Sequence, residues 1–268
     1  MLTLLALLAF CIYLLLGWHF CQLRLAGRAL LRAPIATTLL GAGLLCHGAG
    51  LLHAIAGTTP TFGAAQALSL TAWLALAIYA SGQKRLQLAG IEPPLMAFAA
   101  GFIGLALLLP AGHAPSYQAN LLSQAHFFLA MLAQSLIFIA AGIAVLMRMT
   151  DSTLHHHTSK LLARTLPPLL TLERLLFATL NTGFIALTLA LIAGAIMNSQ
   201  QLGQWFSWNH KTVFGLLSWI IFATLLLGHH LRGWRGRFAA NWALVGFACL
   251  LLGYIGTRIA LEVFLHKA

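Results

Sequence analysis

Residues 205–237 read WFSWNHKTVFGLLSWIIFATLLLGHHLRGWRGR. From Thr212 to Gly228 nothing is charged, while four tryptophans, three histidines and four basic residues fill the ends and the middle of the stretch. About 20 apolar residues in helical form cross the ~30 Å of hydrocarbon in a bilayer. Tryptophan and basic residues at the ends of such a run are the usual anchors at the two interfaces. The stretch reads as one membrane-spanning helix, and the rest of the chain repeats the pattern.

Of 268 residues, 60 % are hydrophobic and 7 % charged, against about a quarter charged in soluble domains. Eight apolar segments stand out, at 2–22, 35–56, 63–82, 93–111, 120–147, 175–197, 211–230 and 239–264. Backbone polar groups in lipid must bond internally, and the periods favour helices. The expected fold is an all-α, polytopic transmembrane bundle of about eight spans, forming a single domain over residues 1–268. The first run has no basic residues before it, and Arg24 follows it, so it reads as a retained helix rather than a cleaved signal.

Orientation comes from the basic residues. With both termini external, Arg24, Arg28, Arg32, Lys84, Arg85, Arg148, Lys160, Arg164, Arg174, Arg232, Arg235 and Arg237 are cytoplasmic, twelve of the fifteen Lys and Arg. Only Lys211, Arg258 and Lys267 fall outside, which satisfies the positive-inside rule. The net charge of +11 therefore points to the anionic inner rim of a membrane and not to nucleic acid. The expected location is a bacterial inner membrane, crossed several times.

Other function classes find little support. The four cysteines lie in or beside apolar spans with no CxxC pair, so they read as packing residues. A CxxCH haem-attachment motif is absent. The polar interruption from Met149 to Arg174, with His155, His156 and His157 in succession, reads as a solvated cytoplasmic loop. Glu173 and Arg174, at the entry to the sixth span, read as structural. A transporter is expected to show repeats and midplane carboxylates. The four acidic residues, Glu92, Asp151, Glu173 and Glu262, avoid the span interiors.

Histidines carry the chemistry instead. By depth, His126, His210 and His266 gather at the outer side with His113 and His53 nearby, and His47 lies deeper with His229 or His230 at the inner end of the seventh span. His47 and His53 are six apart, on different helix faces. Neutral imidazole binds iron, zinc or copper, but zinc sites commonly add thiolate or carboxylate, which these positions do not offer. A flat apolar ligand with axial histidines suits the aromatic surroundings, and haem is such a ligand. Residue by residue the alternatives are hydrogen-bonded packing histidines and an interfacial tryptophan belt. Trp205 and Trp208 share a face only if their segment is helical.

The stretch resembles the cytochrome c assembly family, haem-handling membrane proteins of the CcsA, CcmC and HemX types. That family has an external segment of the form WxxWxWD.KE before a tryptophan-containing helix, then a histidine or basic cluster and a GW+G turn. The likeness extends through LLCHGAGLLH, AHFFLAMLAQSLIFIAAGIAVL, PPLLTLERLLF and YIGTRIALEVFLH, and within the family it is nearest the small eight-span inner-membrane branch often called YpjD. It implies haem b as cofactor, with His126 and His266 as axial ligands to the iron and His210 as the alternative to His266. His47 and His229 match an intramembrane pair, Trp205 and Trp208 the haem-contacting tryptophans, and Arg258 a residue able to neutralise a propionate or pair with Glu262. Where the family has Trp-Asp and Lys-Glu, this chain has Trp208-Asn209 and Lys211-Thr212.

The function so implied is holding or passing haem near the outer face, with no catalytic residue assigned. The partners are the lipid bilayer and a cytochrome c maturation protein or another membrane protein. The alternative is a non-enzymatic accessory or regulatory protein that keeps the fold without stable haem.

Overall fold

The computed structural model describes residues 2–56, 63–82, 90–109, 121–156, 167–205 and 208–253. Among them are eight helices: α1 Leu2–Ala26, α2 Ala33–Ala56, α3 Ala64–Gly82, α4 Glu92–Leu108, α5 Leu121–His156, α6 Leu169–Leu202, α7 His210–Arg232 and α8 Gly236–Leu251. Six are long and apolar enough to cross a membrane; α4 and α8 are apolar but shorter over the described residues. The polytopic all-α fold is as the sequence indicates. The part of the eighth expected span beyond Gly253 lies outside the described residues.

Prolines sit where helices begin. Pro93 and Pro94 occupy the first turn of α4, and Pro168 immediately precedes α6. At these positions the missing N–H has no intrahelical acceptor to lose. Inside the helices, hydroxyls are satisfied by the preceding turn: Thr150 Oγ1 donates to Leu146 O, Thr188 Oγ1 to Phe184 O and Ser218 Oγ to Phe214 O, at 2.8 to 2.9 Å. Such bonds let a polar side chain sit in an apolar medium without an orphaned donor.

α5 is the central pillar. Of its membrane-crossing stretch 78 % is buried, against 22 to 44 % for the other five long helices. It packs most extensively along α6, then against α8 and α3. Phe138 on α5 is fully buried and meets Phe98 and Phe102 of α4 and Phe247 of α8 edge-on or tilted, with centroids 5.7, 4.9 and 6.1 Å apart. Gly183 of α6 lies against Ile137, where an added Cβ would stand 3.1 Å from its side chain.

The interruption expected from Met149 to Arg174 is shorter than its polarity suggests. α5 continues helically through His156, and α6 starts at Leu169. Tertiary contacts hold this end: Arg148 donates to Asn241 Oδ1 (2.7 Å) and Asp151 faces Arg237 (3.6 Å), both on the α8 side. His157 lies outside the described residues.

The charged groups collect at this end of the bundle. Arg24, at the close of α1, donates to Glu92 Oε1 at the start of α4 (2.9 Å). Glu92 Oε2 accepts from the N–H of Gly90, whose φ of +98° favours glycine. Glu173 accepts from Gly236 N–H at 3.3 Å, the structural role expected of it. His19 is buried, and its Nδ1 accepts from Leu31 N–H, tying the α1–α2 connection to α1.

At the same end, α7 stops at Gly233 (φ +66°), and Trp234 N–H turns back to Gly228 O (3.2 Å). The indole of Trp234 lies directly over Gly228, leaving no room for a Cβ. Gly228→Ala is expected to destabilise the bundle by about 1–3 kcal/mol through overpacking. Thermal unfolding in detergent would register this as a lowered midpoint, and an unchanged midpoint would refute the packing argument.

Candidate functional site

The opposite end of α5, α6 and α7 carries His126, Trp205, Trp208 and His210. α6 ends at Gly203 (φ +68°), whose N–H returns to Ser199 O (3.1 Å). α7 begins after Asn209, an extended residue whose Oδ1 accepts from Thr212 N–H (2.9 Å) and Thr212 Oγ1 (2.7 Å). Trp205 and Trp208 lie in this connection, with non-helical residues at 204, 205, 208 and 209. Neither belongs to a described helix, and the glycine stop and the asparagine cap lie on either side of them.

The two tryptophans divide. Trp205 lines a cavity between α6 and α7, while Trp208 is 84 % exposed and lies outside that wall. The cavity measures about 470 Å³, within the range of small-molecule sites. His126, on the second turn of α5, is in its wall, as are Leu191 and Ile192 on α6 and Lys211 and Trp219 on α7. Trp219 Nε1 donates to Thr188 Oγ1 (2.9 Å), and its ring stacks with Phe184, centroids 5.4 Å apart. These contacts fix an indole face where the two helices meet.

His126 is held in one orientation. Its Nδ1 is 2.8 Å from the carbonyl of Ala190. A carbonyl only accepts, so Nδ1 carries the proton and the lone pair of the neutral ring is on Nε2. The ring lies against Gly194, where an added Cβ would approach its Cε1 to 3.0 Å. A carbonyl on one ring nitrogen is the usual means of orienting a metal-binding histidine.

His210 occupies the first turn of α7, exposed and outside the cavity wall. His53, near the end of α2, is also exposed. His266, Arg258, His113 and Glu262 lie outside the described residues. The deeper histidines have separate neighbours. His47 is 2 % exposed, its Nε2 is 2.7 Å from Ser69 Oγ on α3, and Tyr13 of α1 packs beside it at 5.9 Å. His229 turns its Nδ1 to Trp234 O (2.8 Å) and stacks on Phe177 at 3.5 Å. They are not brought to a common space, since α2 packs chiefly on α1 and α3, and α7 on α8 and α6.

Three residues of the site escape a reading by residue chemistry. Trp219 matters through its partner Thr188, 31 positions away. Gly194 matters because it leaves space for an imidazole; the run Ala193-Gly194-Ala195 was the available signal. Met197, also in the wall, accepts from Ser123 Oγ at 3.3 Å, one turn along the same α5–α6 seam as His126.

Asn209 and Thr212 occupy the positions where the resembled motif has Asp and Glu. Those positions are the N-cap and third residue of α7, so the acidic pair would form a capping box. Asn209 performs the same capping task. Asn209→Ala is expected to cost about 1 kcal/mol of stability and Asn209→Asp almost nothing, as read from thermal unfolding.

The fold and site together define a multi-pass helical membrane protein with a ligand-sized cavity at one end of the bundle. The family model described as Cytochrome C assembly protein matches residues 36–265, and the chain belongs to that family. Over 96 residues it is 36 % identical to a cytochrome c biogenesis protein CcsA of Prochlorococcus marinus (strain NATL1A) and 35 % identical to one of Synechococcus sp. (strain WH7803). A CcsA of Prochlorococcus marinus subsp. pastoris is 40 % identical over 96 residues. Each alignment covers 36 % of this chain and 30 % of the relative, so the matched stretch spans under a third of those proteins.

Proposed function

We propose that this chain takes part in cytochrome c biogenesis by holding haem b, or passing it on, at the outer face of the membrane. The observation that carries the reading is His126, fixed through Nδ1 to the Ala190 carbonyl, with its lone pair on Nε2 and its ring in the cavity wall. The cavity also suits the group: it is large enough for a small-molecule ligand and has flat indole and apolar walls. When bound, haem supplies an iron that accepts axial nitrogen ligands and changes oxidation state.

In this reading the protein's own residues position and shield. His126 would hold the haem iron through Nε2, with His266 as the second ligand and His210 as its alternative. Trp205 and Trp219, both in the cavity wall, would pack against the bound group and limit its access to water. The basic residues at the charged end favour that end facing the cytoplasm, which puts the cavity outside. The separate surroundings of His47 and His229 support packing roles for them in this arrangement.

The test is the absorption spectrum of the chain purified in detergent from haem-replete cells. A Soret band at one haem per cavity is the expected result. A colourless protein that co-purifies with a partner would replace this reading with that of an accessory protein which keeps the fold without haem.

A further inference from the structure

We infer that the turn between α7 and α8 is a binding site for the phosphate of an anionic phospholipid, held by Arg232 and Arg235. This goes beyond the haem reading and does not depend on it. The turn has a fixed shape. Gly233 and Gly236 take left-handed conformations (φ +66° and +62°), and Arg235 between them is extended. Trp234 is tucked back onto the helices. Its N–H returns to Gly228 O (3.2 Å), its carbonyl accepts from His229 Nδ1 (2.8 Å), and its ring meets Phe238 and Trp242 at 4.8 and 5.8 Å. With Trp234 so pinned, Arg232 and Arg235 on either side of it are left exposed.

The carboxylates at this end have other tasks. Asp151 faces Arg237, Glu173 takes the Gly236 N–H, and Glu92 holds Arg24. Among the described residues no carboxylate pairs with Arg232 or Arg235. Each guanidinium presents a planar fork of donors that matches phosphate oxygens. The surroundings favour a lipid over a soluble anion. Nothing is charged from Thr212 to Gly228, so Arg232 lies one turn beyond the apolar run, at the depth of the headgroups. On the two helices that meet at the turn, Leu231 is 80 % exposed and Phe238 46 % exposed. Acyl chains cover such side chains, whereas a free phosphate or an acidic peptide arriving from water leaves them wet. One molecule with an anionic head and apolar tails satisfies both parts of the surface.

The experiment follows thermal unfolding of the full chain, delipidated in a neutral detergent, as phosphatidylglycerol or phosphatidylethanolamine is added. Phosphatidylglycerol is expected to raise the midpoint and to bind about tenfold more tightly than the zwitterionic lipid, the scale of basic side chains at an anionic surface. Arg232→Gln with Arg235→Gln should cut that preference to within about twofold. The lipid-free midpoint should not move, because both side chains are exposed. Arg28→Gln with Arg32→Gln removes the same charge from the exposed α1–α2 connection and should keep the preference. Equal wild-type affinities for the two lipids, or a preference that survives the loss of Arg232 and Arg235, would overturn the site. Equal losses in the two double variants would replace it with a diffuse attraction. Inorganic phosphate or an acidic peptide that stabilises as much as phosphatidylglycerol would overturn the lipid as its occupant.

Discussion

On the proposal that His126 holds a haem iron, His126→Ala is expected to abolish the Soret band of the purified protein. Loss of an outer-shell partner already costs a metal site about 10- to 100-fold, so loss of the ligating nitrogen should weaken binding by on the order of 100-fold or more. The fold should survive, because His126 is only half-buried and its ring contacts are with Ala190 O and Gly194. Thermal unfolding of the apo-protein checks that point. Added imidazole should restore part of the band in His126→Gly, since it fills the space left by the ring. A variant that retains the wild-type spectrum would remove His126 from the site.

Glu92→Leu is expected to be among the most destabilising single substitutions in the chain, at about 3–5 kcal/mol. Glu92 is 3 % exposed and serves two donors at once, the Arg24 guanidinium and the Gly90 N–H. Removing it leaves a largely buried cation and a backbone donor without their acceptor. Glu92→Gln keeps an oxygen acceptor and should fall between the two. The double variant Arg24→Met with Glu92→Leu should recover much of the loss, because the uncompensated charge goes with its partner. The readout is the unfolding midpoint followed by tryptophan fluorescence. A single variant that melts with the wild type would show that the pair contributes nothing.

The spans were legible because each is a run of apolar residues of bilayer length, a property of composition that needs no tertiary information. The continuation of α5 through Asp151 was not, since Met149 to His156 reads as polar and its helix is held by Arg237 and Asn241 from another part of the chain. His126 could be singled out as a histidine near the end of a span. Its fixed tautomer depends on Ala190 and its space on Gly194, both on a different helix. The same reasoning grouped His47 with His229 by depth and resemblance. Depth says nothing of lateral position, and the two helices have different neighbours. Trp205 and Trp208 show the limit of spacing arguments, for three residues apart means one face only where the backbone is helical, and neither of these two residues is. Asn209 reads as a missing acid in a binding motif until its hydrogen bond to Thr212 reveals a helix cap.

The enclosure of α5 bears on how the protein can be studied. Its middle touches the other helices far more than lipid, so it reaches its final position only when they have closed around it. His126 rides on the end of that helix and takes its orientation from α6. A lesion that displaces α5 against α6 is therefore expected to move the imidazole. If the chain holds haem as proposed, colour becomes an inexpensive gauge of correct insertion, and a screen for pale variants would recover assembly defects alongside ligand defects. The two separate on adding imidazole, which repairs a missing side chain but not a displaced helix.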